Sequence, residues 1–353
     1  MSFITSRRVA AAPLVLLLFA CFQLRLAHAW SPTHYRMTTY GNRNVNTRTW
    51  IQFAEVELYA SAVKQSVSSV ALTRGTHVSN DAVGRVVDGN TGTDFTGDLQ
   101  KSGRVLILTF TLSSGAWIDS YKVRTSASAP ADRDPKQWSL SASADGSTFY
   151  PVHFVPDGAL AASPRGAIKT FTVPPSMTLF RLDVTAVRNG GTEVEFSEFR
   201  ALSSSSAVLA SLGGTGLGES YNADTSTNTG AWPKTSTPVY TGPWQAADGD
   251  TSTVARQTGA LGSLYVAYDA TSVPMHAVCK YALVTGTGSN GFDPVSWTLK
   301  KIYGVSSVGQ SPTEAIVDTK SNVNAPTARS TSSPEMSTGL CECACMGQLG
   351  FQV

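Results

Sequence analysis

The chain has 353 residues, 42% hydrophobic and 15% charged, with 27 Lys and Arg against 25 Asp and Glu. A near-neutral chain without Lys/Arg runs lacks the electrostatic footprint of a nucleic-acid or acidic-membrane binder. Ser, Thr, Gly, Val and Ala dominate while Leu, Glu and Lys are scarce, a bias toward short strands and turns on a length that suggests about two domains.

Met1–Ala29 has the build of a secretory signal peptide: Arg7 and Arg8, an apolar run from Val9 to Leu24, then Ala27-His28-Ala29 ahead of cleavage before Trp30. The run falls short of the ~20 residues that span a bilayer; an uncleaved anchor or a core helix is the competing reading. Cleavage removes Arg7, Arg8 and Arg25, so that 24 of the 27 basic residues face 25 acidic ones, a balance of −1. No later segment is predicted to cross a membrane, and Gly347–Val353 is too short and polar for a lipid-anchor signal. The expectation is a secreted protein, free or held at a cell surface by a partner. It carries no Asn-x-Ser/Thr sequon.

Further along, Val105–Leu112, Trp117–Arg124 and Trp138–Ser143 read as strands, parted by Ser113-Ser114-Gly115 and Ala129-Pro130. Ile168–Val173 and Leu179–Thr185 continue the series, split by Pro174-Pro175. Short strands at close spacing argue for a β-sandwich.

The chain also repeats itself. Tyr35-Arg36-Met37 followed by Phe53-Ala54-Glu55-Val56 returns as Phe180-Arg181-Leu182 followed by Phe196-Ser197-Glu198-Phe199. Asp88-Gly89-Asn90-Thr91-x-Thr93 returns as Asp248-Gly249-Asp250-Thr251-x-Thr253, and Asp134-Pro135-x-x-Trp138 as Asp293-Pro294-x-x-Trp297. Tyr121-Lys122-Val123 and Lys280-Tyr281-Ala282 precede the last pair. A spacing of roughly 145–160 residues is that of a whole domain rather than a solenoid unit, so a tandem duplication is expected.

These motifs resemble the discoidin, or coagulation-factor type C, branch of the galactose-binding-like sandwiches, which includes family-32 carbohydrate-binding modules and fucose-binding lectins. The resemblance rests on Asp88-Gly89-Asn90 with Thr93 and Phe95, on Arg133–Trp138 with Ser143-Ala144-Asp145-Gly146, and on Phe180–Leu182 with Ser197-Glu198-Phe199. It implies an all-β chain of two tandem antiparallel β-sandwiches of jelly-roll type. The first is placed at 33–202 and a divergent, incomplete second at 203–310, ahead of a Ser/Thr/Pro-rich tail at 311–353. Tyr35–Leu58 matches closing rather than opening strands; it either completes the first unit or is the remnant of a lost copy.

The resemblance further implies structural calcium. Asp88, Asn90 and Thr93 would hold it in the first unit, with Glu198 returning from the last strand, and Asp248, Asp250 and Thr253 would hold it in the second. Hard cations take several oxygens from such turns; ordinary turns held by backbone hydrogen bonds are the alternative. Glycans would bind at end loops, where an aromatic face meets polar groups. The candidates are His77, Asn80, Phe95 and Arg133 in the first unit, and Trp232, Tyr240, Trp244 and Asn290 in the second. Packing beneath a loop is the plain alternative for each. Trp138 and Trp297, in strands, are expected in the core.

Gly286-Thr-Gly-Ser-Asn-Gly291 fits the dinucleotide fingerprint in letters only, because Phe292-Asp293-Pro294 and a strand follow where a helix is required. No H-E-x-x-H or G-x-S-x-G is present, and catalysis is not expected. Beyond the leader, Cys279, Cys341, Cys343 and Cys345 can pair completely, or the C-x-C-x-C cluster can form intermolecular disulfides. The function expected is glycan or glycoprotein recognition in adhesion. The rival readings are a matrix or cell-surface protein-interaction module and a non-catalytic accessory module of a glycoside hydrolase.

Overall fold

The computed structural model describes residues 30–43, 50–78, 82–98, 105–156, 158–160, 164–210, 246–247, 249–257, 261, 263–307 and 311–341. The leader expectation on 1–29 lies outside them. The chain is an all-β antiparallel assembly of packed sheets, and among the described residues its only helical pieces are short 3-10 turns. No described helix is long and apolar enough to cross a membrane.

The first group of strands is β1 (His34–Tyr40), β2 (Trp50–Phe53), β3 (Glu55–Ala60), β4 (Val63–Lys64), β5 (Val67–Arg74), β6 (Thr76–His77), β7 (Phe95–Asp98), β8 (Val105–Leu112), β9 (Ser120–Arg124), β10 (Trp138–Ser143), β11 (Tyr150–Val155) and β12 (Ile168–Thr172). The second is β13 (Met177–Val187), β14 (Val194–Leu202), β15 (Ala255–Gln257), β16 (Ser263–Asp269), β17 (Lys280–Thr285), β18 (Pro294–Tyr303), β19 (Thr313–Lys320) and β20 (Met336–Ser337). Among the described residues no sheet mixes the two groups. The first forms β11-β10-β1-β8-β5, β12-β9-β3-β4 and β2-β7-β6; the second forms β16-β13-β18-β19 and β15-β14-β17-β20.

The pairing recurs down to the register. Met37 on β1 faces Leu140 and Leu108; Leu182 on β13 faces Leu299 and Leu264. Leu58 lies opposite Tyr121, and Ala201 opposite Tyr281. Where Ala54 parts β2 from β3, the ladder of β14 slips between Phe196 and Glu198. An irregularity at the same point in both groups marks it as a designed feature of the strand.

Two sequence expectations are corrected by this pairing. Phe180–Leu182 and Phe196–Phe199 do not close the first group: β13 bonds to β16 and β18, and β14 to β15 and β17. The strands that complete the first group are β1 and β3, from Tyr35–Leu58. The sheets therefore part near Pro174-Pro175, where proline cannot continue a ladder, rather than after Leu202. The stretch from 311 is likewise not a tail throughout, since β19 extends one sheet beside β18 and β20 pairs with β17.

Side-chain alternation explains which strands lie deepest. In β8, Leu106, Leu108, Phe110 and Leu112 enter the first core while Val105 and Ile107 join the second. Met177, Leu179, Tyr265, Ala267 and Ile302 reciprocate from β13, β16 and β18. Tyr40, Val105, Ile107 and Phe154 on the outer side of the five-stranded sheet thus join the core of the second group, and strands buried on both faces read as near-continuous apolar runs. Trp138 and Trp297 are core residues, as expected, at 0% and 1% exposure. Each indole donates to a buried tyrosine hydroxyl, Trp138 to Tyr121 at 2.8 Å and Trp297 to Tyr281 at 3.0 Å. Burying a large apolar side chain contributes about 1.5–3 kcal/mol.

Candidate functional site

The small sheet β2-β7-β6 sits at one end of the first group. Alternation along β2 sends Ile51 and Phe53 inward, both fully buried, and leaves Trp50 and Gln52 on the opposite face. The register sets Trp50 across from Asp98 and Gln52 across from Thr96, with Thr76 beyond Asp98. Trp50 is 37% exposed. Its carbonyl accepts from the buried amide of Asn42 at 2.7 Å, which ties the head of β2 to the chain just after β1.

A second element covers this face. The 3-10 turn Ala131–Arg133 places the Arg133 guanidinium 4.5 Å from the Trp50 ring centroid, a cation–π arrangement. Arg133 also donates to Gln52 Oε1 at 3.2 Å, and Gln52 donates to Thr96 Oγ1 at 2.8 Å. Asp134 anchors the turn from below: it is buried, paired with Arg43 at 3.3 Å and with Arg165. The result is an exposed indole beside a guanidinium, with the Gln52–Thr96 pair that supports Arg133 buried at 7% and 3% exposure; an aromatic face with a polar group at its edge is the mixture that orients a polyhydroxylated ring.

The Asp-Gly turns lie elsewhere on each group. Gly89 sits at φ +73°, a conformation glycine adopts without strain. Asp88 accepts from Asn90 N and from Thr93 Oγ1, both at 2.8 Å. The Gly89 amide points to the carboxylate of Glu55, at 3.2 and 3.3 Å. In the second group Gly249, at φ +81°, donates to Glu198 at 2.9 Å. Asp250 accepts from Ser252 N and Oγ, and its backbone carbonyl from Thr253 Oγ1; Asp248 is outside the described residues. Glu198 therefore belongs to the second turn, and Glu55 is the acid returning to the first. The physical reason is the strand exchange above, which carries β14 and its glutamate into the second group.

Glu55 and Glu198 are each 4% exposed. Burial pushes the Glu55 carboxyl up to about 7; Lys64 and the Gly89 amide oppose the shift, and Asp88 and Glu57 add to it. An oxygen set of this kind fits a hard cation, which would relieve the repulsion between Glu55 and Asp88. Among the described residues no three or more His, Cys, Asp or Glu side chains gather as a metal cluster. Carbonyl, amide and hydroxyl oxygens of Asn90 and Thr93 would have to complete such a shell.

No family model, curated protein or solved structure matches the chain. The site thus rests on its own geometry.

Of the residues singled out in the sequence, Arg133 lies on the candidate face and His77 borders it on the edge strand β6, exposed, with Nδ1 3.0 Å from Val78 O. Phe95 is corrected: it is fully buried, because it shares the inward side of the ladder with Phe53. Asn290 opens a 3-10 turn in the second group and is exposed. Asn80, Trp232, Tyr240 and Trp244 fall outside the described residues. Trp50 and Gln52 were missed; the signal was the alternation Trp-Ile-Gln-Phe, which puts an indole and an amide together on the outer side of a strand. Cys341 is also corrected as an intermolecular candidate, since it is bonded to Cys279 within the chain; Cys343 and Cys345 are outside the described residues.

Proposed function

We propose that this chain is a secreted, non-catalytic glycan-recognition protein that binds saccharide on the face built around Trp50. The observation that carries the reading is the exposed Trp50 ring joined to Arg133, Gln52 and Thr96 on a patch held from beneath by Asp134. Sugar rings present an apolar face to an indole and hydroxyls to a guanidinium. The discoidin-like motifs support the same conclusion by resemblance, and the recurrent strand register supports two copies of one sandwich.

In this reading the Asp-Gly turns are structural cation sites. Glu55, Asp88, Asn90 and Thr93 would hold calcium in the first copy, and Glu198, Asp250 and Thr253 would do so in the second. The ion's chemistry is to draw oxygens together and rigidify the turn. A glycan array probed with the secreted protein, with calcium and with chelator, tests the proposal. A defined set of bound sugars supports it. A blank array from folded protein removes it and leaves a protein-interaction module as the better account.

A further inference from the structure

The two groups of strands share a frame but differ in charge at the position of the candidate site. In the second group Glu193 and Glu195 stand where Trp50 and Gln52 stand in the first, and Arg256, opposite Glu195, stands where Thr96 stands. Phe292 ends the 3-10 turn before Asp293 as Arg133 ends the turn before Asp134. A cation–π pair survives with its elements exchanged: Arg256 lies 4.8 Å from the Phe292 centroid.

The difference lies in what neutralises the cation. Arg256 is paired with Glu193 and, at 3.8 Å, with Glu195. Glu195 is itself buried, taking the Gly288 amide at 2.6 Å and lying 3.7 Å from Arg329. Arg133 has the Trp50 ring and the neutral oxygen of Gln52, and its Nε is buried without a hydrogen-bond partner. Among the described residues no carboxylate lies within ion-pair distance of it. A guanidinium presents a rigid fork of donors suited to a planar carboxylate or a sulfate, and lysine does not reproduce that fork.

We infer that the first copy's site takes an acidic saccharide, a uronate or a sulfated sugar, with the anionic group on Arg133 and the ring against Trp50. The second copy's equivalent face, already charge-compensated, does not bind it. This rests on the glycan reading and narrows it: Arg133 sets the specificity and Trp50 supplies sequence-independent ring contact.

The test is calorimetric titration of the intact secreted protein with three probes: an oligogalacturonate, a sulfated galactan oligosaccharide and a neutral galactan oligosaccharide. Wild type, Arg133→Gln and Arg133→Lys are compared, with thermal melts confirming that each variant folds. At least one acidic probe is expected to bind at one site per chain and tenfold or more tighter than the neutral probe. Arg133→Gln is expected to erase that preference, and Arg133→Lys to keep only part of it; the two acidic arms tell carboxylate from sulfate. Equal binding of acidic and neutral probes, insensitive to Arg133→Gln, overturns the charge assignment while leaving the glycan reading intact. Two equivalent sites per chain overturn the assignment to the first copy. No binding of either acidic probe overturns the inference, and the array on neutral glycans then decides the broader reading separately.

Discussion

The Tyr121 hydroxyl accepts from the Trp138 indole Nε1 at 2.8 Å and shares a hydrogen bond with His153 Nδ1 at 3.0 Å. Tyr281 repeats the arrangement with Trp297 and, at 2.7 Å, the carboxylate of Asp318. Both hydroxyls satisfy the buried indole N–H of a core tryptophan, Trp138 and Trp297 respectively. Tyr121→Phe and Tyr281→Phe should each lower unfolding free energy by about 1–3 kcal/mol. Asp318 keeps its pairing with Lys320 at 3.0 Å in Tyr281→Phe, so the two losses should be of similar size. Denaturant unfolding at pH 7 measures both.

The same relay gives the fold an acid sensitivity. Burial lowers the His153 pKa from 6.5 to about 4, so the folded protein resists a proton that the unfolded chain accepts. Stability from this group is therefore complete above pH 6.5 and declines as pH falls toward 4, by at most about 3 kcal/mol. His153→Gln should flatten that part of the profile in urea unfolding between pH 4 and 7.

Glu55 acts with the opposite sign. Its folded pKa, raised to about 7, lies above the unfolded 4.5, so its contribution is present below pH 4.5 and is lost as pH rises through 7. Without calcium, Glu55→Gln should raise the melting temperature at pH 7.5 and leave it nearly unchanged at pH 4. If the turn holds a cation, calcium should raise the wild-type melting temperature by several degrees and the variant should lose that response. Glu198→Gln, tested beside it, asks the same of the Gly249 turn.

Cys279 and Cys341 are 62 residues apart in sequence. Closing a loop of that length removes unfolded-state entropy worth about 4 kcal/mol in the chain-entropy account. The bond fastens the C-terminal end of the described chain beside the start of β17, where Thr338 also bonds the carbonyls of Val278 and Cys279. Reduction, or Cys279→Ser, should lower the unfolding midpoint markedly, and a near-neutral result would show that the hydrogen bonds suffice.

Much of the architecture could be read from the residues because it is written in local patterns. Trp138-Ser-Leu-Ser-Ala-Ser143 alternates and is a strand at those bounds. The Asp-Pro-x-x-Trp recurrence puts two tryptophans in equivalent core positions. What could not be read was partnership. Phe-x-Glu is equally good strand sequence whether it pairs upstream or downstream, and only long-range register decides that Glu198 meets Gly249 and not Gly89. Phe95 and Trp50 show the same limit on a smaller scale. Both are aromatic residues on adjacent strands, and the pleat alone sends one into the core and the other to the surface.

Sugar binding at the Trp50 face is tested most directly by array binding of wild type and Trp50→Ala side by side. Substituting an exposed side chain at the head of β2 should leave the melting temperature within a few degrees. The wild-type glycan signals should fall at least tenfold in Trp50→Ala. Undiminished binding by a folded Trp50→Ala protein would contradict sugar binding at that face.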